Sequence, residues 1–307
     1  MLEVYLPVAN LVVDVFDIII LGIIVGLISG FFGIGGSFIM IPLLNVVFGI
    51  PMNVAIGSSL TQIAAMSSSG TVAHQRMGNI DFKLALFLLL GSLSGVSLGS
   101  ILLNVMKKLP EFEITIKQIY ILLLFFVSIL MMTEFILSAL ARGLRVVDME
   151  KQVKDKFVEP LSARIQSIRF MQTEFRKSGI IAPAFIPVLI GLFVGTIAGI
   201  TGIGGGFIMT PLLIYILGIS TVIAIGTDLF QMVFMSSLGS IWHATSGNVD
   251  IYLALLMLFG SSIGAQIGAK ATGLVSAREI RVLLALIIIV VALGLGINMY
   301  VECGIID

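Results

Sequence analysis

The residues best placed for chemistry in this chain are glycines. They cluster in SGFFGIGGSFIMIP at 29–42 and again in AGITGIGGGFIMTP at 198–211, each inside apolar sequence. A glycine costs a helix roughly 1 kcal/mol relative to alanine, so each cluster predicts a break. Broken backbone inside lipid is tolerated only where protein or a water-filled cavity satisfies it. A helix that restarts at Ser37 or Gly206 presents free N–H groups and the positive end of its dipole. Glycine also lets an anion come close to such backbone. Gly33, Gly35, Gly36 and Ser37, with Gly202, Gly204, Gly205 and Gly206, are therefore candidate substrate ligands for a small anion. Close helix packing through small residues is the competing use of the same glycines. No Lys-Ser/Thr follows either cluster and no βαβ pattern surrounds it, so neither an ATP loop nor a dinucleotide fingerprint is supported.

A second set of polar residues follows each cluster, in GSSLTQIAAMSSSG (57–70) and GTDLFQMVFMSSLG (226–239). Polar side chains in a lipid-embedded helix face the protein interior. Ser58, Thr61 and Gln62 share one helical face, as do Thr227 and Gln231. Hydroxyls and amides can donate to an oxyanion, which makes Ser58, Gln62, Thr227 and Gln231 further candidate ligands. The alternative is interhelical hydrogen bonding, worth on the order of 0.6 kcal/mol each. Asp228 stands where the first copy has Ser59. It could carry a proton, bind Na⁺ or cap a helix. A charged carboxylate beside an anion site would repel the substrate, so proton coupling is the more economical functional use. His74 and His243 end these two segments and read as interfacial residues or proton relays. Asp81 and Asp250, each two residues after an asparagine, read as N-caps of the segments that follow.

These residues need elements to hold them, and the sequence supplies the elements twice. Residues 33–100 align without a gap onto 202–269, at a constant offset of 169 and with about half the positions identical. Of 307 residues, 58% are hydrophobic and only 11% charged. A soluble chain carries about 25% charge. A soluble enzyme is thereby excluded, and the single cysteine, Cys303, excludes disulfides. Lys+Arg (17) balances Asp+Glu (17), which gives no case for a nucleic-acid partner. No metal site or cofactor is expected. The expected partners are a small anion and the lipid bilayer.

Apolar runs fall at about 13–31, 36–50, 54–73, 82–106 and 115–140, then at 183–200, 205–219, 223–243, 250–273 and 279–301. The second run of each half is short for a span and carries a proline, Pro42 or Pro211. It is either a full crossing or an arm of a re-entrant hairpin. The expected fold is an all-α polytopic membrane protein of two repeats, 13–140 and 183–301, with about five transmembrane or half-membrane helices each. Odd parity makes the repeats inverted. A charged amphipathic linker, 141–182, joins them. With this topology 14 of the 17 Lys/Arg lie on one face, which the positive-inside rule makes cytoplasmic, with both termini outside. The N-terminal tail carries Glu3, Asp14 and Asp17 and no base, unlike the start of a signal peptide.

The duplicated G-I-G-G-(S/G)-F-I-M-(I/T)-P-L-L, with a polar third segment after each copy, resembles the sulfite exporter TauE/SafE family over about residues 15–300. The resemblance implies a transporter rather than an enzyme, one that moves sulfite or an organosulfonate across the cytoplasmic membrane. Residues alone give only an anion-compatible membrane site, which could serve alternating access or a passive anion channel. Ser37 stands where the second copy has Gly206, so the two half-sites are chemically unequal.

Overall fold

The computed structural model describes residues 2–32, 36–143, 171–271 and 277–302. The first half runs β1 (Glu3–Leu6), β2 (Leu11–Asp14), α1 (Val15–Phe32), α2 (Ser37–Phe48), α3 (Met52–Arg76), α4 (Phe82–Met106) and α5 (Phe112–Gly143). The second runs β3 (Gln172–Phe175), β4 (Ile180–Pro183), α6 (Phe185–Thr201), α7 (Gly206–Leu217), α8 (Thr221–Thr245), α9 (Ile251–Ala271) and α10 (Ala277–Glu302). The chain is mostly helical, and each expected apolar run contains one helix. Among the described residues, α4, α8 and α9 through Gly268 are long and apolar enough to cross a membrane. Helices α2 and α7 are shorter, at 12 residues each, and each ends at a glycine in the left-handed region, Gly49 or Gly218. Most of the expected linker, 144–170, lies outside the described residues.

Two elements depart from an all-α expectation. β1 pairs antiparallel with β2, and β3 with β4. The hairpins occupy equivalent positions at the same offset of 169, with turns that pass through Asn10 (φ 55°) and Gly179 (φ 69°). Asparagine and glycine are the residues that adopt this left-handed conformation with least strain. The second hairpin falls inside the stretch expected to be linker. Four-residue strands are too short to show a convincing alternation, and the two hairpins share almost no side chains.

Each Asp at a helix start ties one hairpin down. Asp81 Oδ1 accepts from Leu84 N–H at 3.1 Å as the N-cap of α4, while Oδ2 accepts from Ser178 N–H (3.0 Å) and Oγ (2.8 Å) in the β3–β4 turn. Asp250 repeats this for α9: Oδ1 takes Leu253 N–H (3.2 Å) and Oδ2 takes Val8 N–H (3.0 Å) in the β1–β2 turn. Each carboxylate thus belongs to one half and holds the hairpin of the other.

The helices follow the same crossed pattern. The most extensive packing joins α4 to α6 and α1 to α9, followed by α3 with α8 and α5 with α10. Glycines set the distance. A Cβ on Gly91, Gly95 or Gly99 would collide with the carbonyl oxygens of Val188, Leu192 and Thr196 on α6. On α9, a Cβ on Gly260 or Gly264 would meet the carbonyls of Ile19 and Ile23 of α1. Backbones this close gain dispersion contacts along their whole length, which is what drives helix association where lipid is as apolar as the side chains.

Gly95→Ala should therefore force α4 and α6 apart. Overpacking of this kind costs about 1–3 kcal/mol. The thermal unfolding midpoint in detergent should fall by several degrees, whereas Gly294→Ala, in open space on α10, should leave it unchanged. Equal midpoints for the two variants would mean that the α4–α6 contact does not limit stability.

Candidate functional site

The two glycine turns meet. Helix α2 starts at Ser37 behind Gly36, and α7 starts at Gly206 behind Gly205; neither N-terminus has a side-chain cap. Gly36 O accepts from Ile39 and Met40 N–H, and Gly205 O accepts from Ile208 and Met209 N–H. The first amides of each helix precede these bonds and have no intrahelical acceptor. Ser37 Oγ donates to Ile203 O of the other turn at 2.6 Å. The next residues, Phe38 and Phe207, stack with ring centroids 4.9 Å apart and planes within 10°. All four residues at the helix starts, Ser37, Phe38, Gly206 and Phe207, are buried.

The second turn depends on glycine for its conformation. Gly202, Gly204 and Gly205 have φ of 69°, 78° and 82°, values that L-residues adopt only with strain. Their missing Cβ atoms also make room for α3: a Cβ on Gly202 would stand 2.8 Å from Ile56 Cγ2, and one on Gly204 2.8 Å from Ile63 Cδ1. On the first turn, Gly36 lies against Val25 and Ser29 of α1. Gly33 and Gly35 lie outside the described residues.

Ser58 and Thr227 are reciprocal. Ser58 Oγ accepts from Asp250 N–H at 3.0 Å, and Thr227 Oγ1 accepts from Asp81 N–H at 3.1 Å. Each hydroxyl holds the start of a helix in the opposite half and keeps its own proton free to donate. Asp228 and Gln231 lie in a buried chain of hydrogen bonds. Thr210 Oγ1 donates to Asp228 Oδ2 (3.2 Å), Gln231 Nε2 donates to Asp228 Oδ1 (3.1 Å), and Ser92 Oγ donates to Gln231 Oε1 (2.7 Å). Among the described residues no Lys or Arg pairs with Asp228. The structure thus holds this carboxylate with neutral donors from α7 and α8.

The equivalent positions in the first half are different. Ser59 Oγ and Gln62 Oε1 are buried with no hydrogen-bond partner, and so are Ser29 Oγ beside Gly36 and Ser236 Oγ. Buried polar groups are nearly always satisfied, so a group of exceptions calls for a ligand, a water or a second conformation. His74 and His243 do not converge on each other. Each packs against a glycine of the opposite half: His74 Nδ1 would stand 3.1 Å from a Cβ on Gly226, and the His243 Cβ 3.1 Å from one on Gly57. His243 Nε2 also lies 3.1 Å from Gly199 O.

Thr210 and Ser92 are partners that sequence reading missed. A signal existed: the first half has Ile41 and Ser59 where the second has Thr210 and Asp228. A polar pair replaces an apolar–small pair at two positions together, as contacting residues would.

Comparison with known proteins covers nearly the whole chain. The family described as sulfite exporter TauE/SafE matches residues 18–295. A probable membrane transporter protein of Bacillus subtilis, YjnA, is 28% identical over 282 residues, spanning 91% of this chain and 98% of that protein. One from Methanocaldococcus jannaschii is 25% identical, over 90% of this chain and 93% of its own. One from Haemophilus influenzae is 28% identical, over 83% and 78%. No solved structure matches.

The two copies of the site should respond differently to the loss of a polar side chain. Asp228→Ala strands the Thr210 and Gln231 donors, at a cost of about 1–3 kcal/mol. Ser59→Ala removes a hydroxyl that has no partner and should leave the unfolding midpoint unchanged or raised. A larger fall for Ser59→Ala than for Asp228→Ala would reverse the assignment of which half is satisfied.

Proposed function

We propose that this chain, which belongs to the sulfite exporter TauE/SafE family of membrane transporters, exports a small sulfur-containing anion, sulfite or an organosulfonate, across the cytoplasmic membrane by alternating access. The observation that carries this reading is the direct contact of two uncapped helix N-termini, through Ser37–Ile203 and the Phe38–Phe207 stack. Their amides and dipoles favour negative charge at one central place without a buried cation. The hydroxyl protons of Ser58 and Thr227 and the amide N–H groups of Gln62 are the further donors of this reading. Such a set of neutral donors suits reversible binding of an anion.

The membrane arrangement that fits this function is inverted: hairpin, five helices, linker, then the same series turned over. Both termini face outward and 141–182 faces the cytoplasm, an orientation supported by the 14 of 17 Lys/Arg assigned to one face. Because α4 is locked to α6 and α1 to α9 by glycine contacts, each moving body takes helices from both halves and the site opens between them. Asp228, held by neutral donors, is the coupling group and carries a proton.

Two measurements test this. Gln62→Leu should weaken sulfite binding to the purified protein by about tenfold, the loss expected for one hydrogen bond to a charged group, with no change in unfolding midpoint. Unchanged affinity would remove Gln62 from the site. In proteoliposomes, sulfite efflux should respond to an imposed pH gradient and lose that response in Asp228→Asn. Flux in the wild type that ignores the gradient would instead favour a passive pore.

A further inference from the structure

A second polar site lies at the end of the molecule where α3 runs into α4. The α3–α4 loop and the β3–β4 hairpin enclose a surface cavity of about 560 Å³, lined by Lys83, Arg176, Lys177, Asp81 and Glu174 among others. The two acids are already engaged. Asp81 accepts from Leu84 and Ser178, and Glu174 Oε2 lies 3.5 Å from Arg176 Nε. Among the described residues, Lys83 Nζ donates only to a neutral carbonyl, Glu174 O at 3.0 Å, and stands 5.9 Å from the centroid of the Phe175 ring. Three bases against two acids leave the cavity one surplus positive charge.

The cavity opens at the first turn of α4, a helix long and apolar enough to span a bilayer. An apolar stripe starts there and descends one face of α4: Phe82, Leu86 and Leu90 are 45%, 59% and 63% exposed. Their spacing of four residues keeps them in line. Positive charge at the membrane surface, continuous with an exposed apolar track into the membrane, is complementary to a phospholipid with an anionic phosphodiester headgroup.

The repeat supplies an internal comparison. At the offset of 169, Asp81 becomes Asp250 and the stripe becomes Ile251, Leu255 and Phe259, which are 67%, 56% and 61% exposed. The three bases do not recur: Lys83, Arg176 and Lys177 become Tyr252, Pro7 and Val8. The scaffold is built twice and charged once. Hairpin anchoring accounts for the aspartates, and lipid contact accounts for both stripes. The bias of Lys/Arg toward one membrane face accounts for the bases appearing on one copy, and what it leaves open is their convergence on a single cavity beside the stripe.

We infer that the α4–hairpin cavity binds an anionic phospholipid, with its phosphodiester between Lys83 and Lys177 and an acyl chain along Phe82, Leu86 and Leu90. This site is separate from the glycine turns and does not depend on which anion is transported. Native mass spectrometry of the full-length protein in detergent, titrated with phosphatidylglycerol or phosphatidylcholine, tests it. The wild type should retain phosphatidylglycerol preferentially. Lys83→Gln and Lys177→Gln should each weaken that binding by about fivefold, the contribution of one base near an anionic surface, and leave phosphatidylcholine binding unchanged. Both side chains are exposed, and an unaltered unfolding midpoint in phosphatidylcholine will confirm that the variants are folded. Equal retention of the two lipids, or a preference that survives the double variant, would overturn the proposal. Inorganic phosphate or sulfite that displaces phosphatidylglycerol at equal concentration would identify a free oxyanion as the ligand, and would also overturn it.

Discussion

Backbone polar groups within an apolar chain must find partners inside the protein, and here they find them across the sequence midpoint. Where α9 begins, Asp250 N–H reaches Ser58; where α4 begins, Asp81 N–H reaches Thr227. The hairpin turns hang from the same two aspartates. The broken backbone of the second glycine turn gives its Ile203 carbonyl to Ser37 of the first. The starts of α4 and α9, both hairpin turns and the Ile203 carbonyl are thus satisfied from the opposite half. In lipid an unsatisfied group costs several kcal/mol, so these bonds fix the relative placement of the halves more strictly than apolar contact does, since apolar surface is as content against lipid as against protein.

Much of the fold was readable as sequence because membrane helices announce themselves by length and hydropathy, and because a repeat at constant offset repeats its elements. Ser37 and Gly206 begin their helices where the glycines end, and Asp81 and Asp250 cap as their positions suggested. The hairpins escaped because their conformation repeats while their side chains do not: Asn10 and Gly179 share a left-handed φ and little else nearby is alike. The packing partners escaped for a different reason. Self-similarity says that α1 corresponds to α6, but not that α1 packs on α9. That information lies in the match of two glycine-lined surfaces, Gly260 and Gly264 against the backbone of α1, and surface complementarity has no linear signature.

The candidate site was legible in its residue types and not in its wiring. Gln231 and Gln62 are equivalent in sequence and different in circumstance. Gln231 bridges Ser92 and Asp228, while Gln62 Oε1 has no partner. The carboxylate of the second half anchors a hydrogen-bond chain that reaches Ser92 of the first, while the equivalent Ser59 Oγ and Gln62 Oε1 have no partner. A duplicated scaffold has in this way kept its helix pairing while its buried hydrogen bonds diverged.

The crossed packing also bears on whether one copy could stand by itself. A single copy of the repeat, alone, would leave the close-approach ridge of α4 facing lipid and its hairpin turn without an acceptor, because both are completed by the other copy. Such a unit is complete only beside an identical twin. Covalent linkage here supplies the partner that two such units would otherwise have to find by dimerising.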